Sequence, residues 1–329
     1  MTQPRVLLLA LGGTISMKGA PGRGIVPTLT GADLVAAVPG LSAVAEIEAR
    51  SPYQLPGASL TFSHLNALAG MIDAALADDF AGAVVVQGTD TIEETAFVLD
   101  CLVGGVKPVV VTGAMRGPEA AGADGPANIL AAVTYAASPG MEGRGVVAIL
   151  NDEIHAARYV RKGHTGLTSA FTSSPQGPIG FVLEGRALMH ARTEPMPKLP
   201  RTPEDAEPPA VALVTLGLGD DGRMIEAVSS LGYAGAVVVG MGAGHVPSAH
   251  VPRLSALAEQ MPVVLSTRVA NGPVFTGTYG FPGSETDLLA RGIIPSGSLG
   301  FAKARLLLQM QLSIGYDRKE IKSAFSRFY

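Results

Sequence analysis

Short apolar runs that alternate with stretches of helical spacing restrict the fold of this chain more than any other feature of its sequence. The apolar runs of the first half lie at residues 6–11, 83–86, 109–112 and 146–150. Hydrophobic positions with helical spacing occur between them at residues 65–76, 91–102 and 128–137. Strands that are apolar along their whole length are typical of a parallel sheet covered on both faces. The alternation therefore predicts right-handed βαβ crossovers in a doubly wound, mostly parallel α/β sheet.

A proline-rich segment separates this half from a second one of the same kind. Six prolines fall among charged residues at 195–209, and proline cannot donate a hydrogen bond to a strand ladder, so we predict an extended linker there. We expect a larger N-terminal domain over residues 1–194 and a smaller α/β domain over residues 210–329. Strands of the smaller domain are predicted at residues 211–215, 236–239 and 263–266. Its helices are predicted at residues 224–231, 251–260, 285–290, 301–311 and 318–328.

Charge and composition exclude several classes of partner. The chain carries 24 Lys and Arg against 28 Asp and Glu, a formal net charge of −4. It has no long basic run, so we expect no nucleic-acid partner. No apolar run approaches the ~18 residues of a membrane-spanning helix, so we expect no membrane partner. Charged residues make up 16% of the chain, below the usual ~25%, and we expect part of the surface to be covered in a homo-oligomer.

The apolar run near the N-terminus is open to two interpretations. Residues 6–11 are similar to the core of a secretory signal, but the run is too short and two glycines follow it directly. We interpret it as a buried strand and predict a cytoplasmic protein.

Cysteine and histidine usage indicates neither a disulfide nor a metal site. Cys101 is the single cysteine and lies among Leu and Val residues, which predicts a packed thiol. His245 and His250 lie five residues apart with a proline between them. The chain has no His-Glu-x-x-His motif and no cysteine pair, so we expect no metal.

Three predicted strand ends carry threonine beside glycine. They are residues 12–16 (Gly-Gly-Thr-Ile-Ser), 87–91 (Gln-Gly-Thr-Asp-Thr) and 112–116 (Thr-Gly-Ala-Met-Arg). Ligands of open α/β sheets bind beyond the carboxyl ends of the strands, where glycine permits a close backbone approach. Each end alone is also compatible with a plain turn, and Thr91 with Glu94 predicts a helix capping box. The three ends together favour a ligand site.

A hydroxyl nucleophile at this site requires a base, because a free alcohol is almost wholly protonated at neutral pH. Asp90 adjoins Thr89 and is one candidate partner. Lys162 follows the strand predicted at residues 146–150 and is a candidate base. An ordinary solvated surface lysine is the alternative interpretation of Lys162. No Gly-x-Ser-x-Gly elbow is present to suggest a serine hydrolase.

Two of these strand ends lie in longer motifs. Residues 9–15 (Leu-Ala-Leu-Gly-Gly-Thr-Ile) and 84–96 (Val-Val-Val-Gln-Gly-Thr-Asp-Thr-Ile-Glu-Glu-Thr-Ala) resemble the two signature motifs of bacterial-type L-asparaginases. The second motif is long and specific. The resemblance continues at residues 107–116, 123–128, 296–299 and 303–308, and so spans nearly the whole chain.

The resemblance implies a reaction and an assembly. It implies hydrolysis of the side-chain amide of asparagine to aspartate and ammonia without a metal or cofactor. Thr14 matches the nucleophile that forms an acyl-enzyme, and Thr89, Asp90 and Lys162 match the proton-transfer group. The family's members are homotetramers, each a dimer of intimate dimers with sites at the dimer interface.

The resemblance also implies substrate contacts. Backbone N–H groups near Thr89 and Ala114 match the donors to the oxyanion. Asp90 matches a carboxylate that holds the substrate α-amino group, and Glu285 matches an acidic residue that reaches the same group from the neighbouring subunit. Further substrate contacts are implied at Gly13, Ser59, Gly88, Met115 and His245.

Several positions depart from the family pattern. Ile25 stands where a tyrosine is expected, and His245 stands where asparagine is common. In the segment expected to hold the α-carboxylate, Gly57 and Ala58 lack side-chain donors and leave Ser59. These departures keep open glutamine or another small primary amide as substrate, or a non-catalytic amide-binding protein. The glycines and prolines of residues 16–27 resist regular structure and predict a mobile lid.

A nucleotide-binding protein is a competing hypothesis. Residues 217–222 follow a predicted strand with the pattern Gly-x-Gly-x-x-Gly. Asp220 and Asp221 would place negative charge where a pyrophosphate binds. We therefore expect a loop and a charged helix start at this point.

Overall fold

Strands that are buried along their whole length form the centre of each half of the chain. The computed structural model describes residues 3–20, 23–203 and 205–329, with the backbone alone over residues 17–27. The chain divides into two units, Met1–Arg201 and Thr202–Tyr329. In the first strand Val6, Leu7 and Leu8 are all fully buried. This is the burial expected of a sheet with helices on both faces.

The first unit contains twelve strands and five α-helices among the described residues. The strands are β1 (Arg5–Ala10), β2 (Met17–Ala20), β3 (Arg23–Pro27), β4 (Glu46–Arg50), β5 (Phe80–Val86), β6 (Val109–Thr112), β7 (Val146–Leu150), β8 (Glu153–Ala156), β9 (Arg161–Lys162), β10 (Phe171–Thr172), β11 (Gly180–Leu183) and β12 (Arg186–Met189). The helices are α1 (Gly31–Ala36), α2 (Leu41–Val44), α3 (Phe62–Ala77), α4 (Ile92–Leu102) and α5 (Gly125–Ala137).

Eight of these described strands form one sheet, in the order β12-β11-β8-β7-β6-β5-β1-β4. The strands from β4 to β7 are parallel to their neighbours, and the pairings from β7 through β8 and β11 to β12 are antiparallel. The predicted α/β fold with a mostly parallel sheet is therefore confirmed. The antiparallel extension was not predicted.

The register of the parallel strands brings three strand ends to one edge. Ala10 of β1 pairs with Val86 of β5, and Val86 pairs with Thr112 of β6. The chain leads from β1 through α1 to β4 on one side, whereas β5 lies on the other side of β1. The edge between β1 and β5 is thus a topological switch point, where ligands of such sheets bind.

The crossovers on either side of β6 have opposite hands. Side chains of α5 share a core with Val84, Val86 and Val147, on the same face as α1 and α2. Residues of α4 contribute nothing to that core, and Asp100 at the end of α4 accepts the N–H of Val146 at the start of β7. The strands β5, β6 and β7 follow one another in the same direction across the sheet. Since the helices that connect them, α4 and α5, lie on opposite faces of the sheet, one of the two crossovers is left-handed. The prediction of right-handed crossovers throughout is wrong at this point.

The second unit is a smaller α/β structure. Its described strands are β13 (Val211–Thr215), β14 (Gly235–Gly240), β15 (Val263–Thr267) and β16 (Ile294–Pro295), which pair in that order as a parallel sheet. Its described helices are α6 (Arg223–Ser230), α7 (Val251–Gln260), α8 (Glu285–Ala290), α9 (Phe301–Ser313) and α10 (Arg318–Phe325). The predicted helix at residues 318–328 changes to a 3₁₀ turn at Ser326–Phe328.

The first part of the proline-rich segment packs onto the first unit. Met196 and Leu199 are both buried. The Met196 N–H donates to the Asp100 carboxylate, and the Leu199 N–H donates to the carbonyl of Cys101. Burial raises the pKa of Asp100, while Lys198 opposes that rise. The Cys101 thiol is fully buried, and burial raises its pKa well above its usual value. The domain boundaries at residues 194 and 210 stay predictions.

His155 of β8 is a buried histidine that joins two strands. Its Nδ1 lies 2.9 Å from Ser173 Oγ, just beyond β10. Its Nε2 lies 3.2 Å from Glu153 Oε2 but makes no hydrogen bond. Burial lowers the pKa of His155 to about 4 and raises the pKa of Glu153.

We predict that His155 makes the protein lose stability in mild acid. Since the unfolded chain takes up this proton near pH 6.5 and the folded chain near pH 4, the free energy of unfolding should fall by about 2 kcal/mol between pH 7 and pH 5. His155→Gln should lack this component when urea unfolding is measured at both pH values. Glu153, whose shift acts in the opposite direction, is common to both proteins and cancels in the comparison. Equal losses in wild type and variant would contradict the prediction.

Candidate active site

The ends of β1 and β5 touch because both carry glycine. Gly13 has a φ of +87°, and a Cβ on it would lie 2.1 Å from the backbone N of Gly88. A Cβ on Gly88 would lie 3.2 Å from the Cα of Gly13. Thr14 and Thr89 directly follow these two glycines, so the two threonines extend from backbones in contact. Thr14 opens the 3₁₀ turn Thr14–Ser16 and is half-buried, and Thr89 is buried.

A third segment packs against the same contact. A Cβ on Gly57 would lie 2.9 Å from the carbonyl oxygen of Gly88. The Thr91 hydroxyl donates to the carbonyl of Gly57 at 3.0 Å and accepts from Gln87 Nε2 at 3.1 Å. Thr91 makes no side-chain cap to α4, so the predicted capping box is wrong. Ser59 ends this segment and is exposed.

Lys162 lies against the segment that follows β5. Its Nζ donates to Thr89 Oγ1 at 2.9 Å and to Asp90 Oδ1 at 2.7 Å. The Lys162 side chain is 18% exposed, whereas that of Asp90 is 66% exposed. The alternative of a solvated surface lysine therefore does not apply. A hydroxyl, an amine and a carboxylate are joined in one hydrogen-bonded group.

The loop after β6 is held by Asp124 and Asn128. Asp124 accepts the N–H groups of Met115 and Arg116, each at 2.9 Å. Asn128 Nδ2 donates to the Gly113 carbonyl at 2.9 Å and to Asp124. The N–H of Met115 is therefore engaged within the protein, which leaves its side chain and carbonyl for the implied substrate contact. The side chain of Thr112 does not contribute to the site, because its hydroxyl donates to the Ile149 carbonyl.

An open cleft of about 340 Å³ lies over the Asp90–Lys162 pair and is also lined by Gly163, His164 and Thr165. The ring of His164 is held in place, because its Nδ1 accepts the N–H groups of Gly166 and Leu167. No group of three or more His, Cys, Asp or Glu side chains within the described part of the chain could hold a metal ion. Within the same residues, no helix is long and apolar enough to cross a bilayer.

His245 and Glu285 lie together in the second unit. His245 Nε2 is 3.2 Å from Glu285 Oε2, and Glu285 Oε1 accepts the N–H groups of Thr278 and Tyr279. Burial works to raise the pKa of Glu285, but the hydrogen bonds from Tyr279, Thr278 and His245 hold it below its usual value. The His245 ring packs edge-on against Tyr279 and Phe281.

The loop that follows β13 does not offer a phosphate site. Asp220 Oδ1 accepts the N–H of Gly222, and Asp221 Oδ1 accepts the N–H of Arg223 at the start of α6. The space beside Gly222 is filled by His250, 2.7 Å from where a Cβ would lie. The amides that would bind a pyrophosphate are already engaged by aspartates.

Comparison with known proteins identifies the family of this chain. Residues 5–195 match the family model "Asparaginase, N-terminal", and residues 210–325 match "Glutaminase/Asparaginase C-terminal domain". The chain is 37% identical to a probable L-asparaginase of Deinococcus radiodurans, covering 98% of both chains. It is 35% identical to an L-asparaginase of Bacillus licheniformis, covering 94% of this chain and 95% of that one.

The chain belongs to the asparaginase family. A solved structure, of a probable cytoplasmic L-asparaginase from Campylobacter jejuni, aligns with a TM-score of 0.87 at 29% identity over 98% of this chain and 99% of that one. The resemblance stated from the sequence motifs is thus confirmed, together with the two-part α/β fold.

The first loop of this asparaginase-family chain is more regular than we expected. Met17–Ala20 and Arg23–Pro27 pair as an antiparallel hairpin, so the prediction that glycine and proline exclude regular structure is wrong there. Residues 21 and 22 lie outside the described residues, as does the side chain of Ile25. The Ser16 carbonyl accepts the N–H groups of Thr28 and Leu29, which ties the base of the hairpin to the Thr14 turn.

Sequence reasoning missed three polar residues that hold the site. Glu93 accepts the backbone N–H of Lys162, and Asp124 and Asn128 hold the loop after β6. Their side-chain roles depend on contacts with residues distant in sequence. The sequence signal that they carry is their position within the motifs at residues 84–96 and 123–128.

We predict that Gly13→Ala disrupts the contact between β1 and β5. A side chain at this positive φ costs about 1–2 kcal/mol, and the collision with Gly88 adds about 1–3 kcal/mol. Gly40→Ala is the matched control, because Gly40 has a φ of +77° with nothing within 4 Å of the added Cβ. Urea unfolding should show the larger loss for Gly13→Ala, and ammonia release should fall about 100-fold in that variant alone. Equal losses of stability and activity in the two variants would contradict this account.

Proposed function

We propose that this chain is an L-asparaginase-type amidohydrolase that converts asparagine to aspartate and ammonia. The observation that carries the proposal is the group formed by Lys162, Thr89 and Asp90, which is held next to Thr14 by the Gly13–Gly88 contact. A hydroxyl beside a hydrogen-bonded amine and carboxylate is suited to nucleophilic attack on an amide. Family membership over the full chain adds independent support.

Thr14 is the nucleophile in this proposal. Its Oγ1 attacks the side-chain amide carbon of the substrate, and a C–O bond forms as the carbonyl π electrons move to oxygen. The turn that carries Thr14 is fixed by Ser16, whose N–H and hydroxyl both donate to the Gly13 carbonyl. A nucleophile on a fixed turn needs little reorganisation to reach the attacking geometry.

Thr89 and Lys162 move the proton. The Thr14 proton passes towards Lys162 through hydroxyls or water, and Thr89 Oγ1 already accepts from Lys162 Nζ at 2.9 Å. The same group returns the proton to the leaving nitrogen, so that ammonia departs when the C–N bond breaks. A water molecule then attacks the acyl-enzyme, which releases aspartate and restores the Thr14 hydroxyl.

Backbone N–H groups near Thr89 and Ala114 stabilise the oxyanion. Ala114 is 1% exposed and follows Gly113, which packs so closely on Gln87 that a Cβ would lie 2.4 Å from its carbonyl oxygen. Rigid placement of such donors lowers the barrier, because they need not reorient as charge develops. Asp90, exposed at the cleft, holds the substrate α-amino group.

Glutamine or another small primary amide is the second candidate substrate. Gly57 and Ala58 offer no side-chain donor to an α-carboxylate, and Ser59 is the exposed hydroxyl of that segment. Ammonia release from asparagine, glutamine and simple primary amides decides between them. Tight amide binding with no release from any amide would favour a non-catalytic binder.

Assembly and location belong to the same proposal. We propose a homotetramer of two dimers, with Glu285 and His245 of a neighbouring subunit completing the site, in the cytoplasm. The buried and hydrogen-bonded Glu285 carboxylate supports the role of binding a substrate ammonium, since the low pKa keeps it charged. Relatives differ in location, and one from Haemophilus influenzae is described as periplasmic.

We predict that Thr14→Ala abolishes ammonia release from asparagine while the fold is kept. Thr14→Ser should retain measurable turnover, because it keeps the hydroxyl. Circular dichroism and the urea midpoint serve as controls for folding. Wild-type activity in Thr14→Ala would remove Thr14 from the role of nucleophile.

We also predict that Lys162→Met lowers kcat by at least ~100-fold, the size of a general acid–base contribution, and changes the pH–rate profile. Lys198→Met is the matched control, because Lys198 also lies near an aspartate, Asp100, but on the proline-rich segment. The control should keep the wild-type profile. An unchanged profile in Lys162→Met would show that the proton takes another route.

A further inference from the structure

Glu93 binds the backbone of Lys162. Its Oε2 accepts the Lys162 N–H at 2.7 Å, across 69 residues of sequence. A charge-assisted hydrogen bond of this length is among the stronger ones in proteins. Glu93 lies in the first turn of α4, three residues beyond Asp90, where a carboxylate is also favoured by the helix dipole.

The strand that carries Lys162 lies outside the eight-stranded sheet. β9 consists of Arg161 and Lys162 and pairs with the two-residue strand β10, and the N–H of Gly163 continues this ladder to the carbonyl of Ala170. This ladder joins β9 to β10 and not to β5, so it does not by itself fix the backbone of Lys162 against the end of β5. The contact from Glu93 joins this short strand to the element that starts at Thr89.

Three contacts on Lys162 come from one short stretch of chain, residues 89–93. Thr89 and Asp90 bind its Nζ, and Glu93 binds its N–H. A lysine side chain has four rotatable bonds and is flexible along its whole length. If the backbone end moved, Nζ could not keep both contacts without a change of rotamer. Fixing both ends from the same stretch removes this freedom.

We propose that Glu93 is a positioning residue for the proposed amide hydrolysis, which fixes the backbone of Lys162 so that its Nζ reaches Thr89. This inference rests on the proposed function for its kinetic consequence and on geometry alone for its structural one. The hydrogen-bond acceptor, rather than the negative charge, is the property that the position requires.

The test compares Glu93→Leu with Glu93→Gln. The leucine variant removes the acceptor, and the glutamine variant keeps an acceptor of similar reach without the charge. We expect kcat for asparagine to fall 10- to 100-fold in Glu93→Leu with KM changed less than threefold, since a displacement of about 1 Å costs up to ~10² in rate. Glu93→Gln should stay within about threefold of wild type.

Asp73→Leu is the control for a merely structural role. Asp73 of α3 also accepts a distant backbone N–H, that of Gly104, at 2.9 Å. This variant should lose stability and keep its kcat. If Glu93→Leu behaves in the same way, or if Glu93→Gln is as impaired as Glu93→Leu, the proposal is overturned.

Crystal structures of the two Glu93 variants give a readout that is independent of activity. We expect Lys162 Nζ to move more than 1 Å from Thr89 Oγ1 in Glu93→Leu and to stay in place in Glu93→Gln. Retention of the wild-type contact in Glu93→Leu would refute the positioning role. A wild-type protein that releases no ammonia, with Nζ displaced in Glu93→Leu, would refute the proposed function and leave the positioning role standing.

Discussion

The close approach of Gly13 to Gly88 is the contact on which the rest of the candidate site depends. Any side chain at Gly13 would overlap the backbone of Gly88. Without this approach Thr14 and Thr89 would lie on separate strand ends, and the Lys162 group would have no second threonine beside it. The contact contributes no hydrogen bond of its own. Its importance is that it reduces the distance between two backbones to one that only glycine permits.

The topology explains why this contact lies at the edge between β1 and β5. The chain leaves β1 towards α1 on one face and leaves β5 towards α4 on the other. The segments that follow the two strands therefore diverge and leave a crevice between them. The residues at the base of this crevice are the last at which the two segments are in contact. Because α5 lies on the same face as α1, Asp124 and Asn128 reach the loop after β6.

Fully apolar runs and motif spacing were sufficient to predict the strands at β6, β7 and β13 and the shared edge that holds Thr14 and Thr89. The apolar runs did not predict the antiparallel strands β8, β11 and β12, because these strands are short. The residues that mark them in the sequence lie in the turns between them. Asn151 and Asp152 adopt positive φ between β7 and β8, as Glu184 and Gly185 do between β11 and β12. The contact of Glu93 with the Lys162 backbone was beyond prediction, since it depends on where a distant backbone amide lies.

The Asp90–Lys162 pair is better explained by its part in the proposed reaction than by its contribution to the stability of the fold. Asp90 is largely exposed, and an ion pair with one exposed partner contributes about 0–1 kcal/mol to folding. The partly buried lysine is oriented by the pair at little energetic cost, while the exposed carboxylate stays open to a cation from solvent. A buried aspartate would bind the lysine more tightly but would have no face left for a substrate ammonium. In the proposed reaction, the unequal exposure of the two partners lets one carboxylate bind both the amine of the protein and the amine of the substrate.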